Sequence, residues 1–79
     1  MREFFVKLNS VGDVREFVRA ATIQPYDIFV GGYHEYVSAQ SFIGMFGLDL
    51  RSKLRVTMYC GDSSTEDFRQ LVQPYIVAA

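Results

Sequence analysis

Apolar and polar residues alternate along residues 3–8 (EFFVKL): Phe4, Val6 and Leu8 share one face, Glu3, Phe5 and Lys7 the other. A period of two is that of a half-buried β-strand. Phe5 makes the outer face less than fully polar, so partial cover over that face is expected. The period then lengthens, with Val11, Val14, Phe17, Val18 and Ala21 at helical spacing. Ser10 or Asp13 can cap this segment, and Ser10-x-x-Asp13 and Asp13-x-x-Glu16 both read as capping boxes. Pro25 disfavours helical backbone at Gln24, so the pattern predicts a helix over about 11–22.

Residues 27–31 (DIFVG) and 33–38 (YHEYVS) read as two strands around Gly31-Gly32, a glycine pair able to supply the positive φ of a tight hairpin. Alternation returns at 53–60 (KLRVTMYC), with Leu54, Val56, Met58 and Cys60 on one face and Gly61-Asp62 as the breaker. Ser63-x-x-Glu66 is a third capping box, followed by an apolar stripe of Phe68, Leu71, Val72 and Tyr75. Pro74 removes a backbone donor from that stripe and stops or kinks the helix near 72–75. The predicted order is β-α-β-β-α-β-α, an α+β domain with an antiparallel sheet and its helices on one face. The pattern shows no repeat, linker or second domain, so residues 1–79 are expected to form a single domain.

The segment SAQSFIGMFGLDL (38–50) fits neither period cleanly. A helix of about two turns starting at Ser41 cannot turn Phe42, Ile43, Met45, Phe46 and Leu48 toward one sheet, because they point around its axis. Met45 and Leu48 can go inward with Leu50. Phe42, Ile43 and Phe46 are then expected at the surface, and contiguous exposed apolar groups mark docking or self-association. Two readings of Ser41 stand. Its hydroxyl can cap free backbone N–H groups, which needs nothing else. The same N–H groups would also favour a phosphate on that oxygen.

Composition narrows the function classes. Of the 79 residues, 49% are hydrophobic and 15% aromatic, enough for a core without metals or disulfides. The formal net charge of −1 is scattered, which gives no electrostatic case for nucleic acid or an anionic membrane. Cys60 stands alone and fits a reducing compartment. No apolar run nears the roughly 20 residues of a membrane span, and MREFFVKLN is unlike a signal peptide. A soluble cytoplasmic protein is expected. Metal-type cysteine spacing and a phosphate-binding glycine loop are both missing, so no cofactor or metal is expected. His34 reads as an exposed strand residue, Cys60 as a small core residue and the five tyrosines as structural.

Taken together, these stretches resemble the HPr family, the small phosphocarriers of the bacterial sugar phosphotransferase system. Q-S-F-I-G-M-F-G-L (40–48) resembles that family's regulatory helix, K-S-I-M-G-V-M-S-L, and L-R-V-T-M-Y-C-G-D (54–62) its fourth strand and exit loop. The resemblance implies an HPr-like open-faced β-sandwich: a four-stranded antiparallel sheet covered on one face by helices. The family's phosphocarrier motif, G-x-H-A-R-P-A, corresponds here to G-D-V-R-E-F-V (12–18), about one helical turn shorter overall. Val14 falls on the histidine by direct count; a one-residue slip puts Asp13 there and Arg15 on the motif arginine. Neither Val14 nor Asp13 can carry a phosphoramidate, so Asp13, Val14 and Arg15 mark a degenerate phosphocarrier site and no enzymatic role is expected.

The family's second function implies more. Its regulatory serine matches Ser41, and the docking patch around it matches Phe42, Ile43 and Phe46. The resemblance is to the histidine-less branch, including the catabolite-repression paralogue. Its implied partners are an HPr kinase/phosphorylase and a catabolite-control transcription factor. Phe42 and Phe46 are bulkier than the family's aliphatic residues, and Gln40 replaces a basic residue. Two alternatives remain beside this reading: a structural domain that self-associates through the patch as a homodimer, and an atypical phosphocarrier.

Overall fold

The computed structural model describes residues 2–32, 35–61 and 65–78. Among them the chain forms β1 (Arg2–Val6), α1 (Val11–Thr22), β2 (Asp27–Gly31), β3 (Tyr36–Ser38), α2 (Phe42–Met45), β4 (Leu54–Tyr59), α3 (Glu66–Leu71) and β5 (Ile76–Val77). The predicted order is present with one strand added at its end. The sheet is antiparallel and five-stranded, in the order β3-β2-β4-β1-β5, rather than four-stranded. The fifth strand follows from Pro74: a 3-10 turn at Gln73–Tyr75 redirects the chain. Ile76 and Val77 then fall opposite Val6 and Phe5 on the open edge of β1. Two residues give too short a run for periodicity to reveal.

β4 pairs with β1 on one side and β2 on the other, so β1 and β2 run parallel with β4 between them. Parallel strands need a crossover, and α1 provides it. Ser10 caps α1 as predicted, its Oγ accepting from Asp13 N–H at 3.1 Å. The Asp13 carboxylate reaches back to Asn9 N–H at 2.9 Å, one residue before the cap. The Lys7 ammonium donates to Asn9 Oδ1 (2.9 Å) and to Leu50 O (3.0 Å), tying the exit from β1 to the loop before β4.

The core follows the two periods. Phe4, Val6, Leu8, Ile28, Val30, Leu54, Val56 and Met58 are buried on one sheet face under Val14, Phe17 and Ala21 of α1 and Phe68 of α3. Phe68 is the keystone, with ring centroids 6.0 Å from Phe4 and 5.6 Å from Phe17. Cys60 is buried and free, in line with its reading as a small core residue.

Several local expectations change. Gly31 lies within β2, opposite Tyr36 and Arg55, and neither it nor Gly32 has a positive φ; Gly61, at +55°, is where the left-handed backbone falls. Tyr33 and His34, expected to begin the second strand of the hairpin, lie outside the described residues, as does Ser63 of the third capping box; β3 begins at Tyr36. The residue that caps α3 is Thr65, without a side-chain hydrogen bond; Glu66 and Asp67 put acidic charge in the first turn instead. Leu71, assigned to the apolar stripe, is exposed. β1 ends at Val6, although Leu8 stays buried beyond it.

Two core positions give measurable consequences. Phe68→Ala is expected to cost about 3–5 kcal/mol in urea denaturation, because it empties the space between sheet and α1. The Tyr26 hydroxyl is buried with no hydrogen-bond partner among the described residues. Burial above all, then Cys60 and Asp67, holds this phenol above its ordinary 10.0. The unfolded phenol therefore ionises first, and its contribution to stability is lost as pH rises past 10. Tyr26→Phe is expected to be neutral or stabilising by about 1 kcal/mol at neutral pH and to flatten the alkaline loss. A larger destabilisation in the same denaturation series would show that the hydroxyl has a bonding role.

Candidate functional site

Ser41 is held from three directions. Ala39, fully buried, donates its N–H to Ile28 O at 2.9 Å, and Ser41 N–H bonds back to Ser38 O at 3.0 Å. Gln40 donates from Nε2 to Ala21 O at 3.5 Å, at the last turn of α1. The start of α2 is thereby fixed against both β3 and the end of α1. Gln40 was singled out in the sequence only as a departure from a basic residue; a positioning bond of this kind has no signature in a single chain.

At α2 the Ser41 hydroxyl caps, accepting from Gly44 N–H at 3.0 Å. Gly44 is required for this geometry, since a Cβ there would meet Ser41 Oγ at 2.9 Å. The helix is one turn rather than about two. Met45 N–H makes the first bond to Ser41 O, after which Phe46, Gly47 and Leu48 bond three residues back, as in a 3-10 turn. With so few aligned peptides, the helix dipole adds little pull on an anion at Ser41.

The apolar residues divide as their spacing requires. Met45 is fully buried, Leu48 nearly so, and Leu50 packs against the core. Ile43 is 86% exposed, Phe42 39% and Phe46 42%. The Phe42 and Phe46 rings meet edge to face, centroids 4.9 Å apart at 86°. Each therefore covers part of the other, and together with Ile43 they form a contiguous patch beside the exposed Ser41.

Residues 13–15 are not gathered into a second site. Val14 is fully buried in the core, the Asp13 carboxylate is committed to Asn9 N–H, and Arg15 is exposed. Among the described residues, no cluster of three or more His, Cys, Asp or Glu could hold a metal ion. None of the described helices is long and apolar enough to cross a membrane.

On the opposite sheet face two tyrosines are exposed, and Tyr59 packs its ring against Phe29. Tyr26 is buried, but Tyr36 is 61% and Tyr59 51% exposed. Phe5 is half-buried beneath Lys53 and Arg55, whose charged groups lie 5.3 and 5.8 Å from its ring centroid. That is the partial cover expected for its face. Sequence alternation places Phe5, Arg55 and Tyr59 outward, but only the cross-strand register shows which of them meet.

No protein-family model matches the chain, and no curated protein matches it.

The cap predicts a graded response to mutation. Ser41→Ala is expected to cost about 0.5–2 kcal/mol in denaturant unfolding, through loss of the cap. Ile43→Ser is expected to stay within about 0.5 kcal/mol of the parent, because its side chain is in solvent. A large cost at Ile43 would show that α2 is more buried than described.

Proposed function

We propose that this chain is a non-catalytic, HPr-like regulatory domain that docks a protein partner through Phe42, Ile43 and Phe46. Phosphorylation of Ser41 is the proposed switch, in carbon catabolite regulation, with an HPr kinase/phosphorylase and a catabolite-control transcription factor as partners. The observation that carries the docking role is the division of α2: Met45 alone of the helix is buried, while three large apolar side chains stay outside. The assignment to an HPr-like class rests on the resemblance of 40–48 and 54–62 and is compatible with the order of elements. The burial of Val14 supports a chain with no phosphocarrier group at that position.

The size of the patch favours a switchable complex over a permanent one. A stable interface buries about 800 Å² on each partner, and two of these three side chains are already more than half covered. At about 25 cal/mol per Å² the patch contributes a few kcal/mol gross, much of it offset by the cost of association. A phosphate on Ser41 would add charge-assisted bonds to an arginine of the partner.

Two measurements separate the switch from the surface. Incubation with HPr kinase/phosphorylase and ATP is expected to add one phosphate, on Ser41, by mass spectrometry. An unmodified Ser41 beside a modified histidine-bearing HPr overturns the switch. Titration of the phosphorylated protein against the transcription factor is expected to show binding that Ile43→Asp weakens at least about tenfold. Unchanged affinity overturns the patch as the docking surface. Sedimentation of the parent chain and Phe46→Asp closes the alternative, since a dimer abolished by that change reassigns the patch to a second copy.

A further inference from the structure

The sheet face turned away from the helices carries a cleft of about 590 Å³, independent of α2 and of the function proposed for it. Its floor is built by one cross-strand row, in which Tyr36, Gly31, Arg55 and Phe5 stand side by side on β3, β2, β4 and β1. Gly31 gives the Tyr36 ring room in it. A Cβ at that position would meet the Tyr36 ring at 3.1 Å, so the missing side chain lets Tyr36 lie down across the strand. Any larger residue would lift that ring and fill the row. Phe5, at the other end of the row, lies beneath Lys53 and Arg55.

The charges in the cleft are unequal in their availability. Asp49, on the rim, accepts from both Nε and the backbone N–H of Arg51 at 3.1 Å, so its charge is answered outside the cleft. Glu35 is the remaining acid of the lining. Against it stand two cations. Lys53 has one long bond, to Ala78 O at 3.4 Å. The Arg55 guanidinium lies over Phe5 with no hydrogen-bond acceptor or ion-pair partner among the described residues. A guanidinium presents its donors in a planar fork suited to a carboxylate or phosphate. An exposed aromatic ring laid over a glycine, beside a lysine with one long bond and an arginine with no acceptor among the described residues, supplies the ingredients of a small-molecule site, and the volume is within the usual range for one.

The geometry points to this cleft as a binding site for a small planar aromatic anion, its ring stacked on the exposed Tyr36, its acidic group on Arg55 and Lys53. The ligand's anion is a carboxylate or a phosphate, which Arg55 recognises by the same fork.

The test is an amide-resolved NMR titration of the whole chain with two charged probes, indole-3-acetate and AMP, and their uncharged counterparts, indole and adenosine. At least one charged probe is expected to shift the Gly31, Gly32 and Arg55 amides at millimolar concentration, with its uncharged counterpart at least about tenfold weaker. The tighter of the two charged probes identifies the anion. Arg55→Gln is expected to weaken binding at least about fivefold, and Tyr36→Leu to weaken it with all charges retained. Ile43→Ser, on α2, is expected to bind as the parent does. The proposal is overturned if neither charged probe binds by about 10 mM, if charged and uncharged probes bind alike, or if a folded Arg55→Gln protein keeps the parent affinity.

Discussion

β4 is the strand on which everything else is hung. It is hydrogen-bonded along both edges, and its period of two sends Leu54, Val56 and Met58 into the core while Arg55 and Tyr59 face outward. Because β1 and β2 both pair with it, they are forced parallel and apart, and a helix must carry the chain between them. The inward row is fully apolar and cannot be left in water, so α1 and α3 must cover it. Phe68 meets both Phe4 and Phe17 at that junction and joins the two layers. One register thus fixes the layers, the covered face and the open face.

The division of labour in α2 is a consequence of its length. One turn of helix has room to direct a single residue, Met45, straight into the core, and Leu48 and Leu50 follow from the turn behind it. Phe42, Ile43 and Phe46 are left outside because no further layer lies over them. Ser41 is spent on ordering that turn, through its bond to Gly44 N–H. A chemical change at its hydroxyl would therefore act on the residue that holds the patch in shape, which is a physical reason for linking the two in one proposal.

The open sheet face is polar only in part. Thr57 is 2% exposed although it points outward, and its neighbours across the strands are Glu3, which accepts its hydroxyl at 3.4 Å, and Phe29. The Phe29 and Tyr59 rings pack edge to face 5.7 Å apart. These aromatics cover the hydrogen-bonded ladder on that side, and at Gly31 the Tyr36 ring does so.

Much of the fold was legible in the chain because its periods are clean. The helix at 11–22 and the strand at 27–31 have the bounds that their apolar spacing, Ser10 and Pro25 imply, and the inward set Leu54, Val56, Met58 follows from alternation alone. The outward placing of Phe42, Ile43 and Phe46 also follows from spacing, since three residues on one side of a turn cannot share the side of Met45. What pairwise contact across the sheet decides was not legible. Ile76 and Val77 become a strand only because β1 has a free edge at their height. Gly31 reads as a turn residue in sequence and proves to be a floor, because only the register sets it between Tyr36 and Arg55. Val14 lies where the resemblance sets a phosphocarrier histidine, yet the packing of α1 buries it completely. Sequence by itself determined which way each side chain leaves its own element; tertiary structure alone decided what it meets there, because neighbours across strands and layers are set by pairing and packing between distant parts of the chain.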